Sequence, residues 1–203
     1  MATDFNNKNI GTVSNKLRKM PLLKRYIIDK IDENQDIKRL TRYPNISPLS
    51  ESSLDYSGNL INQPDLKLTL KEDNVEGDKV LFAHGFNPDM ENEKKIYIFV
   101  QNYTNDFKNL IGNNKFYVHI LCPECYNDLA FYGQERIYEI AIKIIDILDE
   151  HTIEGDLQKE LGMIKFEVSG TGDEGRMAKS KDVIRYSFPV IAKTMNTRTR
   201  VYE

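Results

Sequence analysis

Residues 117–148 read YVHILCPECYNDLAFYGQERIYEIAIKIIDIL. The opening, with Phe116 before it, is apolar on both faces, the pattern of a strand inside a covered sheet. The middle has a proline, a glycine and no period, and reads as an irregular turn. The close is a helix. Ile137, Ile140, Ala141, Ile144 and Leu148 fall on one stripe, and Tyr138, Ile142 and Ile145 form a second beside it. Glu139, Lys143, Asp146 and Glu150 take the remaining face. A stripe this wide calls for burial against a sheet and against a further surface.

Working outward, IYIFVQ at 96–101 repeats the two-sided apolar pattern and predicts a second central strand beside FYVHIL at 116–121. The connection NYTNDFKNLIGNNK is too long for a tight hairpin and is expected to project. Strands follow the helix at 163–168 and 183–193, with Pro189 placing the last one at an edge or a bulge. Upstream, 66–70 and 79–83 are expected to pair as a hairpin across EDNVEGD. Nearer the start, Ser14 caps a short turn over 16–20, and a helix starts at Pro21 with Leu23, Tyr26, Ile27 and Ile31 on one stripe. Ile37 and Leu40 continue that stripe after a break at Asn34. Residues 1–14 read as an extended arm, and 15–203 as one domain. Within it, 41–66 holds Pro44, Pro48, Gly58 and Pro64 and reads as extended. Segments of that length serve function, an intersubunit contact or a linker. The expected class is α+β: an N-terminal helix plus a mixed or antiparallel sheet, a β-β-α-β-β core with helices packed on it, and extended arms.

The 203 residues are 40% hydrophobic and 29% charged, which suits one folded core. A net charge of −3 argues against a generic nucleic-acid binder. The basic runs Lys16, Arg18, Lys19, Lys24, Arg25 and Arg198, Arg200 read as solvated surface. MATDFNNKN lacks the apolar centre of a signal peptide, and no apolar run suffices to span a bilayer. The two cysteines, Cys122 and Cys125, are too close for a disulfide framework, so a reducing cytoplasm is expected.

GTGDEG at 170–175 has the G-x-G-x-x-G spacing of a dinucleotide-binding turn. That motif needs a long helix behind it, and here a second strand follows, so the stretch reads as an exposed loop between antiparallel strands. CPEC at 122–125 offers half a zinc site, but His84, His119 and His151 are isolated from one another. Its rival reading is a redox C-x-x-C, and its plain reading a strand-end turn stopped by Pro123. His119 reads as a satisfied, half-buried histidine. DENQD at 32–36 opens like a calcium loop, yet Ile37 and Tyr43 stand where glycine and glutamate belong, and it reads as a helix end. The acids at 88–93 look solvated. No residue pattern argues for catalysis, a metal or a cofactor.

Taken together, 117–148 and the elements around it resemble the tail-terminator and head–tail joining proteins of tailed bacteriophages, over roughly 15–40 and 94–194. The resemblance implies a non-enzymatic virion protein that forms a homo-oligomeric ring between head and tail. Its neighbours would be portal, connector or tail-tube proteins, with DNA passing through the lumen without specific binding and no membrane involved. Candidate contacts are Tyr138, Ile142 and Ile145 on the helix, Phe107, Leu110, Asn113 and Asn114 in the long connection, Arg198 and Arg200, the N-terminal arm and 41–66. The alternatives are a small cytoplasmic thiol oxidoreductase using CPEC, or a monomeric adaptor.

Overall fold

A computed structural model describes residues 13–54, 59–72, 79–84, 94–103, 113–130, 133–168, 170, 172–177 and 182–195. The chain opens with α1 (Val13–Glu33) and α2 (Gln35–Arg42). The short strands β1 (Ser52–Leu54) and β2 (Leu60–Asn62) pair only with each other. The main sheet takes β3 (Leu81–Phe82), β4 (Tyr97–Asn102), β5 (Asn113–Pro123), β6 (Ile164–Val168), β7 (Asp173–Arg176) and β8 (Val183–Thr194). Two helices interrupt it: α3 (Arg136–Leu148) and α4 (Asp156–Leu161). The class is α+β, as the residue patterns predict.

The strand order is β3-β4-β5-β8-β6, with β7 also on β8. Only β3 and β4 run parallel; every other neighbouring pair is antiparallel. On β5, Phe116, Val118 and Ile120 are fully buried, while Lys115, Tyr117 and His119 between them are half-buried. The buried set faces the layer of α1 and α3, which both pack on β5. From α3, Ile137, Ile140, Ala141, Ile144 and Leu148 enter this layer, a burial worth on the order of 10 kcal/mol before the entropy of ordering. Leu23, Ile27 and Ile31 of α1, with Ile37 and Leu40 of α2, complete it.

The helix break falls at Asn34, whose side chain accepts from the Ile37 backbone N–H at 3.0 Å and caps α2. DENQD is therefore a helix end followed by a helix start. Four expectations need correction. First, Pro21 does not restart the helix: α1 runs through it from Val13, at the cost of the one intrahelical bond that the missing N–H would make.

Second, 66–70 and 79–83 do not form a hairpin. Only Leu81 and Phe82 are strand, and they pair with β4; Val80 and Leu81 instead donate to the Leu70 carbonyl.

Third, of the two places expected for Pro189, an edge or a bulge, the edge is not the one it takes. β8 lies inside the sheet, with Pro189 opposite Tyr117 of β5. On its other side Val190 pairs with Val168 and Ser187 with Asp173, so the proline falls where the partner changes from β6 to β7. No ladder donor is needed there.

Fourth, GTGDEG is not wholly a loop. Residues 173–176 form β7, which continues the edge strand begun by β6. From Val168 opposite Val190 to Asp173 opposite Ser187 the edge strand advances five residues and β8 three, the count of a bulge. Gly170 has φ +83, a left-handed conformation suited to glycine.

Candidate functional site

Segment 41–66 is the part of the chain whose role its pattern leaves most open. Its first two residues end α2, and hydrogen bonds tie residues 43–49 and 63 to α2 and the start of α3. The organising group is Arg136 in the first turn of α3, which is completely buried. Its guanidinium donates to the carbonyls of Tyr126 (2.6 Å), Leu40 (2.7 Å), Tyr43 (2.8 Å) and Asn45. A planar fork with five donors suits such a set of diverging carbonyls, and lysine could not span it. The backbone of Ala130 also donates to the Ile46 carbonyl at 2.7 Å.

A second layer of polar groups closes the loop from inside. Arg39 donates to the carbonyls of Leu49 and Gln63, at 3.0 and 2.6 Å. Gln63 is fully buried; its amide nitrogen donates to Ser47 and Ser50 carbonyls, both at 2.9 Å. Its amide oxygen accepts from Asn45 at 2.6 Å. Asn45, Gln63 and the terminal nitrogens of Arg39 thus find partners, which offsets much of their desolvation, while the Arg39 Nε is buried without one.

The outside of the same segment carries large apolar side chains among polar ones. Among the described residues six large hydrophobic side chains are exposed, and three of them, Ile46 (50%), Leu49 (37%) and Leu60 (72%), fall here. They stand among exposed polar neighbours, Ser50, Glu51, Ser52, Asn59, Asn62 and Asp65, over the buried polar groups beneath. The segment is a built loop that presents apolar side chains, and not a slack linker.

The other candidate residues scatter. Tyr138 packs edge-on against Tyr186 and donates to the Glu174 carboxylate, which pushes its hydroxyl up to about 12. Ile145 packs partly against the core, while Ile142 is 48% exposed. Asn113 and Asn114 begin β5 opposite Lys193 and Ala192, and Asn114 is buried. Phe107, Leu110, Arg198 and Arg200 lie outside the described residues, as do most of the N-terminal arm and the acids at 88–93. Lys19 and Lys24 are not simply solvated: they donate to the carbonyls of Leu161 and Ala83, and burial lowers both ammonium pKa values.

Cys122 is buried at the end of β5, where burial pushes its thiol up to about 12 despite the nearby charge of Arg136. A nucleophilic thiolate needs the opposite shift. Cys125 is exposed in a single 3-10 turn, Glu124–Tyr126. His119 bonds Ser187 at 2.7 Å and Gln101 at 3.1 Å and stacks on Tyr117, as a satisfied histidine should. Among the described residues no group of three or more His, Cys, Asp or Glu could hold a metal, and no helix is long and apolar enough to cross a membrane.

Arg136, Asn45 and Gln63 are the residues that sequence reasoning missed. One signal was present: Arg136 stands on the row of Ile140, Ile144 and Leu148, so an arginine sits on the buried stripe of α3.

These features define an α+β protein with helices layered on one sheet and a polar-cored loop that turns apolar groups outward. The chain belongs to the YomW family, whose model matches residues 34–174, a span that includes the whole loop. The family carries a phage-type gene name, which points to a phage-derived protein. No curated protein matches the chain.

Proposed function

We propose that this chain is a structural virion component, one subunit of a homo-oligomeric ring at the neck or tail-terminator position around the DNA channel. The observation that carries the reading is the exposure of Ile46, Leu49 and Leu60 on a segment whose buried side is held by polar groups. A monomer gains nothing by holding Ile46, Leu49 and Leu60 in water on a scaffold of buried hydrogen bonds. A subunit that must offer a fixed apolar surface to a neighbour gains a binding site. The phage character of the family name supports the virion setting. The net charge of −3 suits a conduit that DNA passes without clinging. Ring neighbours would be portal, connector or tail-tube proteins, with assembly in the host cytoplasm.

The thiol oxidoreductase reading has less support, because the buried Cys122 thiol is shifted away from thiolate. The deciding experiment is mass spectrometry of purified phage particles. The chain is expected in them at the several copies per particle of a ring. Its absence from particles overturns the proposal.

A further inference from the structure

The sheet has a second face. Side chains alternate along β5, so Lys115, Tyr117 and His119 stand opposite the face that α1 and α3 cover. Directly opposed residues of antiparallel neighbours share a face. That adds Gln101 of β4 and Pro189 of β8 beside Tyr117, and Ile191 of β8 beside Lys115. Tyr103, whose N–H donates to the Lys115 carbonyl at 3.0 Å, completes the patch. Gln101 is exposed and the others are half-buried. Further along the same face Tyr97, Phe99 and Leu121 are buried, so the open part is the half where β5 begins.

Three rings follow one another across this half. Tyr103 lies 5.3 Å from Tyr117, and Tyr117 lies 5.8 Å from His119 and within 16° of parallel to it. The Lys115 ammonium sits 4.6 Å from the centre of the Tyr103 ring and 5.8 Å from that of Tyr117. The other cations of this face are paired: Arg185 with Asp173, Lys193 with Glu167 and Lys165 with Glu150. Among the described residues Lys115 pairs with no carboxylate, and neither tyrosine hydroxyl has a hydrogen-bond partner. His119 takes the Gln101 carbonyl oxygen at 3.1 Å, which leaves the Gln101 amide nitrogen as a free donor.

Flat rings suit flat partners, an unpaired ammonium suits an anion, and free donors suit acceptors. Single-stranded nucleic acid supplies all three in one chain: bases that stack, phosphates between them and acceptors on the base edges. A duplex keeps its base faces inside, and an acidic peptide brings anions without flat faces. The one side-chain carbonyl of the patch is used by His119, so it is not kept for a ribose 2′-hydroxyl, and DNA is the strand the face fits.

We infer that this half of the sheet binds single-stranded DNA, with bases stacked on Tyr103 and Tyr117 and a phosphate at Lys115. One free ammonium makes stacking the main source of affinity, which is compatible with the net charge of −3. The inference goes beyond the ring reading and does not depend on it, since a duplex passing through a ring offers this face no base.

The test is fluorescence anisotropy of a labelled oligo-dT of about twelve nucleotides with the full-length chain, beside a duplex and an oligo-rU of equal length. The single DNA strand should bind at least about tenfold tighter than the duplex. Its log affinity should fall with log salt at a slope of only about −0.7, the value for one phosphate contact. Tyr103→Leu and Tyr117→Leu keep apolar side chains in the sheet and remove the rings; each should weaken binding about tenfold. Lys115→Gln should bring the salt slope close to zero. On the unaltered chain, photo-cross-links from an iodouracil-substituted strand should map to Tyr103 or Tyr117. No binding of the single strand, equal binding of the duplex, natively folded leucine variants that bind as well as the parent, or cross-links mapped elsewhere would each overturn the inference. Oligo-rU binding tenfold tighter overturns the assignment to DNA, and polyglutamate competing as well as oligo-dT reduces the face to a charge site and overturns it too. The presence or absence of the chain in phage particles bears on the ring reading alone.

Discussion

Gly172 lies against the ring of Tyr186 so closely that any Cβ at this position would come well inside 3.0 Å of it. The third residue of G-x-G-x-x-G is therefore a glycine for packing. Gly172→Ala would have to displace a ring that also touches Tyr138 and Phe188. We expect it to lower stability by about 1–3 kcal/mol in urea unfolding, the usual cost of overpacking. Gly175→Ala, which meets only the end of Arg185 at 3.5 Å, should change little by comparison. Equal effects at both positions would show that the ring contact is not what constrains the bulge.

Arg136 makes a second test. Arg136→Met keeps volume and strands the carbonyls of Leu40, Tyr43 and Asn45. The expected loss is about 3 kcal/mol or more. The distinctive readout is local: amide exchange across 43–65 should accelerate more than exchange in β5. Arg136→Lys should recover only part, because an ammonium cannot address diverging carbonyls from one plane. Uniform acceleration through the whole chain would refute the latch.

His119 gives the pH dependence a sign. Burial, and then the charge of Arg185, hold its pKa below the ordinary 6.5. The folded chain then binds fewer protons than the unfolded chain near that value, so stability rises with pH there. The contribution is complete above 6.5 and is lost as pH falls through the lowered folded value. Unfolding from about pH 7.5 down to about pH 5.5 should show a decline that is shallower in His119→Gln. Identical slopes would remove His119 from the account.

The cysteines should differ in reactivity. In the native chain a maleimide should label Cys125 alone at neutral pH, and both cysteines after denaturation. Rapid native labelling of Cys122 would reopen the thiol-exchange alternative.

The patterned elements were legible because burial writes a period. The stripe Ile137, Ile140, Ala141, Ile144 and Leu148 is buried throughout, and both central strands stand where their two-sided apolar runs fall. Loop 43–65 was not legible, because backbone carbonyls hold it. Carbonyls belong to every residue, so the acceptors of Arg136 and Gln63 leave no trace in residue type. The edge bulge failed for a related reason. G-x-G-x-x-G reports glycine spacing, while the fold uses Gly170 for its backbone angle and Gly172 for a ring contact. Pro189 left an edge and a bulge open because a missing donor is tolerated at an edge and equally where the partner strand changes inside a sheet.

Under the proposed ring, the buried hydrogen bonds of loop 43–65 also bear on the speed of association. Its shape is set by Arg136, Arg39, Asn45 and Gln63 within the one chain, before any neighbour arrives. A preorganised surface avoids the ordering step that slows segments which fold as they bind. Encounter and orientation would then limit the rate at which this face is occupied, and that rate should scale with subunit concentration without a lag.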